Sequence, residues 1–452
     1  NPGIYISVFA FIISSSTVRS SFSSSSKIEL AHYEPAFDYA IAVNRAEVES
    51  IINNPEAPTF ENTIVAMTES GELLGRVAGL FFVLNNCSTS DEMQQIAMNI
   101  TPKLTELEND ISLNPELFAR VKAVYDQRKK LKLDEQDMQL LEDTYKGFAR
   151  SGALLEGRDK ELYREYSSEL SQLTLKFGQN AQAATNAFSY NITDPAKVEE
   201  LPAFVKEGLA AEAEARGEKG WTVTLHAPSY SPFMTYSTQR DIKEALYRPY
   251  NTRGIGGETD NVENIRRIAE LRLKIANLLG YKCYADYVLE DRMAESTKTV
   301  NGFLAELNKA TLSYAKKDVA AITEYAHSLG FEGELAPWDF GYYNEKYKEA
   351  KYAINDEQIK PYLQLENVKN AVFMLAGKLY GLTFTPVDNI ETYHPEATVY
   401  EVRDDKGELM AILYLDFFPR DSKRQGAWMT EFRGVKVKDG KEQRPLVQLV
   451  MN

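Results

Sequence analysis

The sequence predicts a mainly α protein with a small β part near its C-terminal end. Apolar residues recur at helical spacing almost without pause from Ile28 through the first three quarters of the chain, and β-branched runs with turn signals then take over. At 452 residues, 44% hydrophobic and 26% charged, the composition is that of an ordinary soluble globular protein. The length allows two or three domain-sized units or one large helical body.

Thr59 is placed to cap a helix carrying Ile64, Met67, Leu74, Val77, Phe81 and Leu84 at steps of three, four and seven. Asp134 is placed to cap another, with Met138, Leu141, Tyr145 and Phe148. A longer helix presents Leu162, Tyr166, Leu170, Leu173 and Phe177 on one face and is expected to close at Gly178. These stripes read as core, with nothing in them to suggest a cofactor box.

The texture changes over Asn191–Ala227, where Pro195 and Pro202 punctuate the chain and Trp221–Leu225 (WTVTL) reads as a strand. Pro228 and Pro232 are expected to mark a turn, and a boundary falls near residue 226. Ile265 to Leu279 then forms a helix ended by Gly280, Thr297 starts one stopped by Gly330, and Asn367 to Leu379 makes a third stopped by Gly381. Asp404-Asp405-Lys406-Gly407 between Val399–Val402 and Met410–Leu415 signals a hairpin, and Pro445–Met451 reads as a further strand.

The formal charge of −15 argues against a nucleic-acid partner, which would need clustered Lys and Arg. Cys87 and Cys283 are far apart and read as two buried free thiols. The four histidines, His32, His226, His327 and His394, include no H-E-x-x-H or H-x-H pair. No G-x-S-x-G elbow occurs, and Gly254-Ile255-Gly256-Gly257 has neither dinucleotide nor phosphate-loop spacing. With 66 acidic residues, neighbouring carboxylates are expected by chance and assign no glycosidase chemistry. The apolar run Ile4–Ile13 is too short to span a bilayer, and no other segment reads as transmembrane. The run has the length of a secretory h-region but lacks a preceding Lys or Arg, so a secretory remnant and a disordered or mistranslated leader both stay open.

More specific are several segments that resemble one family. Asn53 to Thr63 (NNPEAPTFENT), Leu175 to Asn180 (LKFGQN) and Leu278 to Tyr281 (LLGY) are similar to thimet-oligopeptidase-like zinc metallopeptidases of the bacterial peptidyl-dipeptidase and oligopeptidase A branch. Pro337-Trp338-Asp339, Lys360-Pro361-Tyr362 and Tyr393-His394-Pro395 are similar to its peptidyl-dipeptidase members. The block Tyr414 to Lys423 (YLDFFPRDSK), followed by Gly426 to Met429 (GAWM), resembles the strand and segment just upstream of the family's zinc helix. The likeness runs over roughly residues 28–452; the Ser-rich start and Pro249, which predicts a helix kink, depart from it.

The resemblance implies a large helical ellipsoid of two halves around a channel that admits short unfolded peptides, with a small antiparallel β-sheet near the C-terminal end. Residues 1–27 would be an irregular leader, 28–225 an N-terminal helical domain, and 226–452 the first part of the peptidase domain, its catalytic half incomplete. The family's paired histidines bind zinc, and the Glu between them takes a proton from the metal-bound water. That motif is expected beyond Asn452, so the chain itself is expected to bind no metal and to be inactive alone.

By the same resemblance Gly426 and Ala427 lie at a sheet edge that receives the peptide backbone, with Trp428 beside them; tight packing is the competing explanation for the small residues. Asp416, Arg420 and Lys423 would order this segment by ion pairing. Loss of the zinc helices would bare an apolar face and leave the last strand without a partner. The implied partners are short unfolded peptides, with no nucleic acid and no membrane, in a bacterial cytoplasm or periplasm, as a monomer when complete. A non-catalytic peptide-binding protein and a non-functional truncated product are the alternatives.

Overall fold

The computed structural model describes residues 28–452 apart from residues 355 and 439; the expected leader, with its apolar run, lies outside them. Helix α1 (Tyr33–Ile52) is followed by the segment that Thr59 was expected to cap. Thr59 does so, its hydroxyl accepting from the Asn62 amide at 3.0 Å, but the helix it opens is a π-helical turn (Phe60–Val65) and one further turn ending at Glu69. The expected single helix is broken at Gly71, whose φ of +75° suits glycine and whose amide donates to Glu47 at 2.7 Å. Helix α2 (Glu72–Cys87) carries the rest of the stripe. It packs with α1 and α3 (Asp91–Ser112) around Phe37, Phe81 and Ile100. Leu141 and Phe148 of α5 (Glu135–Arg150) join α4 (Pro115–Asp126) and the π turn in a second core.

Helix α6 runs Gly157–Asn186, straight through the expected stop at Gly178. A helical Gly costs only about 1 kcal/mol. That is offset by α10 (Val262–Leu278), which lies along α6; Arg267 grips Glu169 at 2.6 and 2.7 Å, and Asn261 Nδ2 donates to the Phe177 carbonyl at 3.0 Å. The α6 stripe is half-buried, and Phe177 is exposed.

Strand β1 (Ser189–Ile192) pairs antiparallel with β2 (Trp221–Thr224), the strand expected from the WTVTL run. They enclose a third core with α7 (Ala203–Ala215), α8 (Ala227–Tyr236) and α9 (Arg240–Asn251), so residues on both sides of position 226 share it. Pro228 and Pro232 mark no turn; both lie in α8, Pro228 in the first turn where a missing N–H costs nothing. Pro249 falls in the last turn of α9.

Helices α11 (Thr297–Ser328) and α13 (Leu365–Tyr380) end at Gly330 and Gly381 as expected, with α12 (Pro337–Tyr352) between them. Neither α11 nor α13 buries its apolar stripe: every residue from Asn301 to Ala320 is exposed, and no residue of α13 is buried.

Apart from a small hairpin of Lys436–Lys438 with Lys441–Gln443, the C-terminal strands are β3 (Thr383–Val387), β4 (Thr398–Arg403), β5 (Leu409–Asp416), β6 (Trp428–Arg433) and β7 (Leu446–Val450). They form one sheet in the order β3-β4-β5-β7-β6. Asp404–Gly407 makes the expected hairpin, the Asp404 amide donating to the Glu408 carbonyl at 3.0 Å. All pairs are antiparallel except β5–β7. The last strand is therefore no unpartnered edge: it threads between β5 and β6, and both neighbours satisfy its backbone. Val83 of α2 packs against Ile412, Tyr414, Phe432 and Leu446 of the sheet.

Candidate functional site at the β6 edge

Strand β5 delivers Asp416, fully buried, to the start of the loop that leads to β6. Arg420 clasps its two oxygens at 2.9 and 2.7 Å, Lys423 Nζ reaches Oδ1 at 2.8 Å, and the Tyr393 hydroxyl donates to Oδ2 at 2.8 Å. Burial pushes the Asp416 carboxyl up, but these donors outweigh it and hold the group below the usual carboxylate range. Lys423 uses its remaining protons on the Phe418 and Met451 carbonyls at 2.5 and 3.0 Å. Burial lowers its pKa, opposed by Asp416. Arg420 also donates to the Cys87 carbonyl at 2.5 Å, which ties the cluster to the end of α2. The expected ordering role of Asp416, Arg420 and Lys423 is thus met, with Tyr393 and the Cys87 backbone as partners that sequence spacing did not reveal.

The loop is pinned along its length. Thr89 N donates to the Ser422 carbonyl at 2.8 Å, and Arg424 N to that of Asn86 at 2.9 Å. Gln182 and Asn186, at the end of α6, both donate to the Asp421 carbonyl, at 3.1 and 3.0 Å. Asn452 Nδ2 reaches the Arg424 and Gly426 carbonyls at 2.8 and 3.1 Å. The backbone that enters β6 is therefore held on a rigid mount.

Gly426 and Ala427 are exposed, and Trp428 is half-buried with the Arg424 guanidinium 4.6 Å from its ring centre. Tight packing does not explain the glycine, because a Cβ there would meet nothing within 4 Å. Its φ of +110° does, since side-chain-bearing residues rarely adopt it. Strand β6 pairs only with β7, so its other edge is unpaired within the sheet. Helix α2 passes close to the far end, where a Cβ on Gly79 would sit 3.2 Å from the Phe432 carbonyl oxygen. Met429, at the open end, is 68% exposed.

Beside the loop lies a cavity of about 240 Å³ lined by Phe204, Leu209, His226, Ser229, Pro419 and Asp421 among others. His226 Nε2 is 3.1 Å from Asn186 Oδ1 and 3.9 Å from the Asp421 carboxylate, and burial lowers its pKa.

The four histidines stay apart and each has its own partner. His32 Nδ1 accepts from the Glu29 amide, His327 Nε2 meets the Gly333 carbonyl at 2.9 Å, and His394 Nδ1 accepts from the Glu396 amide. Among the described residues, no three His, Cys, Asp or Glu side chains converge as a metal site. The donor set present does not fit a zinc ion, and no chemical step is assigned through one. Cys87 is buried against Gln448, whereas Cys283 is only partly buried, contrary to expectation, because its thiol faces Asp286 of the half-buried helix Tyr284–Leu289. Among the described residues, no helix is long and apolar enough to cross a membrane.

Residues 233–452 match Peptidase family M3. The chain is 35% identical to the dipeptidyl carboxypeptidase of Escherichia coli over 407 residues, covering 89% of this chain and 59% of that protein. It is 31% identical to the oligopeptidase A of Salmonella typhimurium over 433 residues, 94% of this chain and 64% of the other. A thimet-like oligopeptidase of Dictyostelium discoideum matches at 22% over 422 residues, 90% of this chain and 61% of the other. The chain spans about three fifths of the length of these relatives. The match to peptidase family M3 thus covers residues 233–452, just under half of the chain, and the chain is similar to two bacterial peptidases over nearly all of its length.

Proposed function

We propose that this chain supplies the scaffold and the substrate-receiving edge of a zinc-dependent peptidase for short unfolded peptides, releasing C-terminal dipeptides or cutting small oligopeptides. The observation that carries the reading is the open start of β6, where exposed Gly426 and Ala427 lead into an edge strand whose mount is fixed by the buried Asp416 cluster. An extended peptide laid along this edge pairs its main chain with the strand. Main-chain pairing tolerates many sequences, and it requires an unfolded substrate. Gly426 lets the backbone enter without a side chain in the path, and the half-buried Trp428 flanks the peptide. Two relatives are named as a dipeptidyl carboxypeptidase and an oligopeptidase, which fits this substrate class.

The zinc ligands belong, on this reading, to the part of the relatives' length that has no counterpart here. On this reading residues 28–225 form an N-terminal helical part and 226–452 the first part of the peptidase domain, in line with a family match that begins at residue 233, while the two parts share a core across position 226. The setting is a bacterial cytoplasm or periplasm, the cytoplasm preferred, and the complete protein is a monomer.

A quenched fluorescent peptide tests the proposal. The purified 452-residue chain binds the peptide but gives no chelator-sensitive turnover. Turnover abolished by chelator would place the metal within this chain and overturn the assignment. The separation of the histidines also favours a second reading, a peptide-binding protein without catalysis. Coding sequence continuing after codon 452 into H-E-x-x-H supports the enzyme; a stop codon there supports the binder.

A further inference from the structure

The cavity beside the loop has two unlike ends. Helix α7 lines it with Phe204, Gly208 and Glu212, successive turns of one face that span roughly 12 Å at 1.5 Å per residue. Helix α8 faces them with Pro228 and Pro232, and Gly208 and Pro228 are exposed, so the slot is open to solvent. At one end the Phe204 ring meets the edge of Tyr236, with centres 6.0 Å apart, and Lys360 Nζ stands 2.9 Å from the Phe204 ring centre. At the other end His226 lies 3.9 Å from the Asp421 carboxylate and within the field of Glu212. Gly208 sits midway. Glycine weakens a helix interior relative to alanine, and crowding is the usual reason to keep one. Crowding is lacking here, because a Cβ on Gly208 would meet nothing within 4 Å. What the missing side chain leaves is room in the slot.

We propose that this cavity binds a small primary amine with an apolar body, its ammonium at the Asp421 and Glu212 end and its body laid over Gly208 towards Phe204. The charges choose the sign of the head group. Among the described residues, no Lys or Arg nitrogen comes within 4 Å of the Asp421 carboxylate, whose side chain is 67% exposed. The cations nearby are already engaged. Arg420 holds Asp416 and the Cys87 carbonyl, Arg216 holds Glu212 at 2.6 Å, and Arg253 lies over the Tyr250 ring and donates to Thr185. Burial keeps the His226 ring uncharged at neutral pH. An ammonium therefore finds a counter-ion at this end, and a carboxylate meets like charge. The Lys360 ammonium repels the ligand's charge from the Phe204 end and so sets its direction. Phe204, Leu209 and the two prolines wall the body, and a volume of about 240 Å³ suits one ring or branched chain on a short linker. The site is built from α7, β2, α8 and the loop alone, and it needs neither a metal nor the β6 edge. A free amine and the amino terminus of a peptide with an aromatic first residue share this chemistry.

Calorimetric titration of the 452-residue chain tests it with two probes of equal shape and opposite charge, phenethylamine and 3-phenylpropanoate. The amine is expected to bind saturably, and about tenfold or more tighter than the acid. Asp421→Asn is expected to cut that preference about threefold or more. Gly208→Leu fills the slot and removes amine binding, whereas Gly208→Ala, which strengthens the helix, keeps most of it. Circular dichroism checks that each variant folds, and Asp421→Asn, a change at an exposed side chain, decides the matter if Gly208→Leu does not. A phenylalanyl peptide and its N-acetylated form separate the two sources. Binding that acetylation abolishes names a peptide amino terminus, and binding of phenethylamine alone names a free amine. No saturable amine binding up to about 10 mM, the weak end for so small a ligand, would overturn the site. So would equal affinity for the two charges, or an amine affinity unmoved by Asp421→Asn or by a folded Gly208→Leu.

Discussion

The carboxylate of Asp416 and the ammonium of Lys423 lie 2.8 Å apart with neither side chain exposed to solvent. An ion pair removed from water stands only where hydrogen bonds satisfy its remaining valences, and here Arg420, Tyr393 and two backbone carbonyls do so.

Breaking this pair from one side leaves the other charge stranded. Asp416→Asn is expected to destabilise the chain by about 3–5 kcal/mol, since Lys423 loses its counter-ion and Arg420 keeps only Glu396 at 4.0 Å. Lys423→Met costs less, because Arg420 and Tyr393 still hold the carboxylate. Urea unfolding of the two single variants and the double variant checks the order, and a double variant less damaged than Asp416→Asn alone confirms the coupling.

The same cluster sets the acid limit. With its folded pKa depressed, Asp416 contributes stability that is present above the unfolded carboxylate value of about 3.9 and is lost as pH falls through the lower folded value. Thermal melts from pH 5 to 2 are expected to show this loss, and Asp416→Asn to flatten it.

His226 acts at milder acidity. Burial lowers its pKa, so the unfolded chain takes up a proton first, and stability declines as pH drops below about 6.5. Glu212, Arg216, Arg253 and Asp421 face the ring and set the size of the effect. Melts of His226→Asn are expected to lose the slope between pH 7 and 5.

Gly426→Val forces a side chain into a φ of +110°. The strain is expected to cost about 1–3 kcal/mol and to weaken binding of a fluorescent unfolded peptide at least tenfold. Anisotropy titration measures the affinity. A variant with unaltered affinity would remove this residue from the peptide path.

Thr59→Ala removes the hydroxyl that accepts from the Asn62 amide and should cost about 1 kcal/mol. Urea unfolding reads it directly.

Helices were the most legible part of the chain, because a stripe, a cap and a stop are local. The α5 helix begins at its Asp134 cap, and the hairpin turns at Asp404–Gly407, because those residues carry their own geometry. Gly178 misled because packing of α6 on α10 decides the helix end, and that packing is set by residues about ninety positions away. The break at Gly71 depended on Glu47, 24 positions back and in another helix. At the site, Asp416, Arg420 and Lys423 were visible through the family-like block Tyr414–Lys423 that holds them. Tyr393 and the pinning amides of Gln182 and Asn186 came from other elements, which no local pattern connects to the loop. For the four histidines the sequence excluded only an H-E-x-x-H or H-x-H pair, since none lies within five residues of another.

The placement of β7 has a bearing on how the molecule assembles. Strand β6 emerges from the ribosome before the strand that separates it from β5, so the two can meet in the finished order only after residues 446–450 slide between them. Until then β6 has no sheet neighbour. Translation pausing before codon 446 would hold this half of the molecule in a sticky intermediate, a natural client for a chaperone.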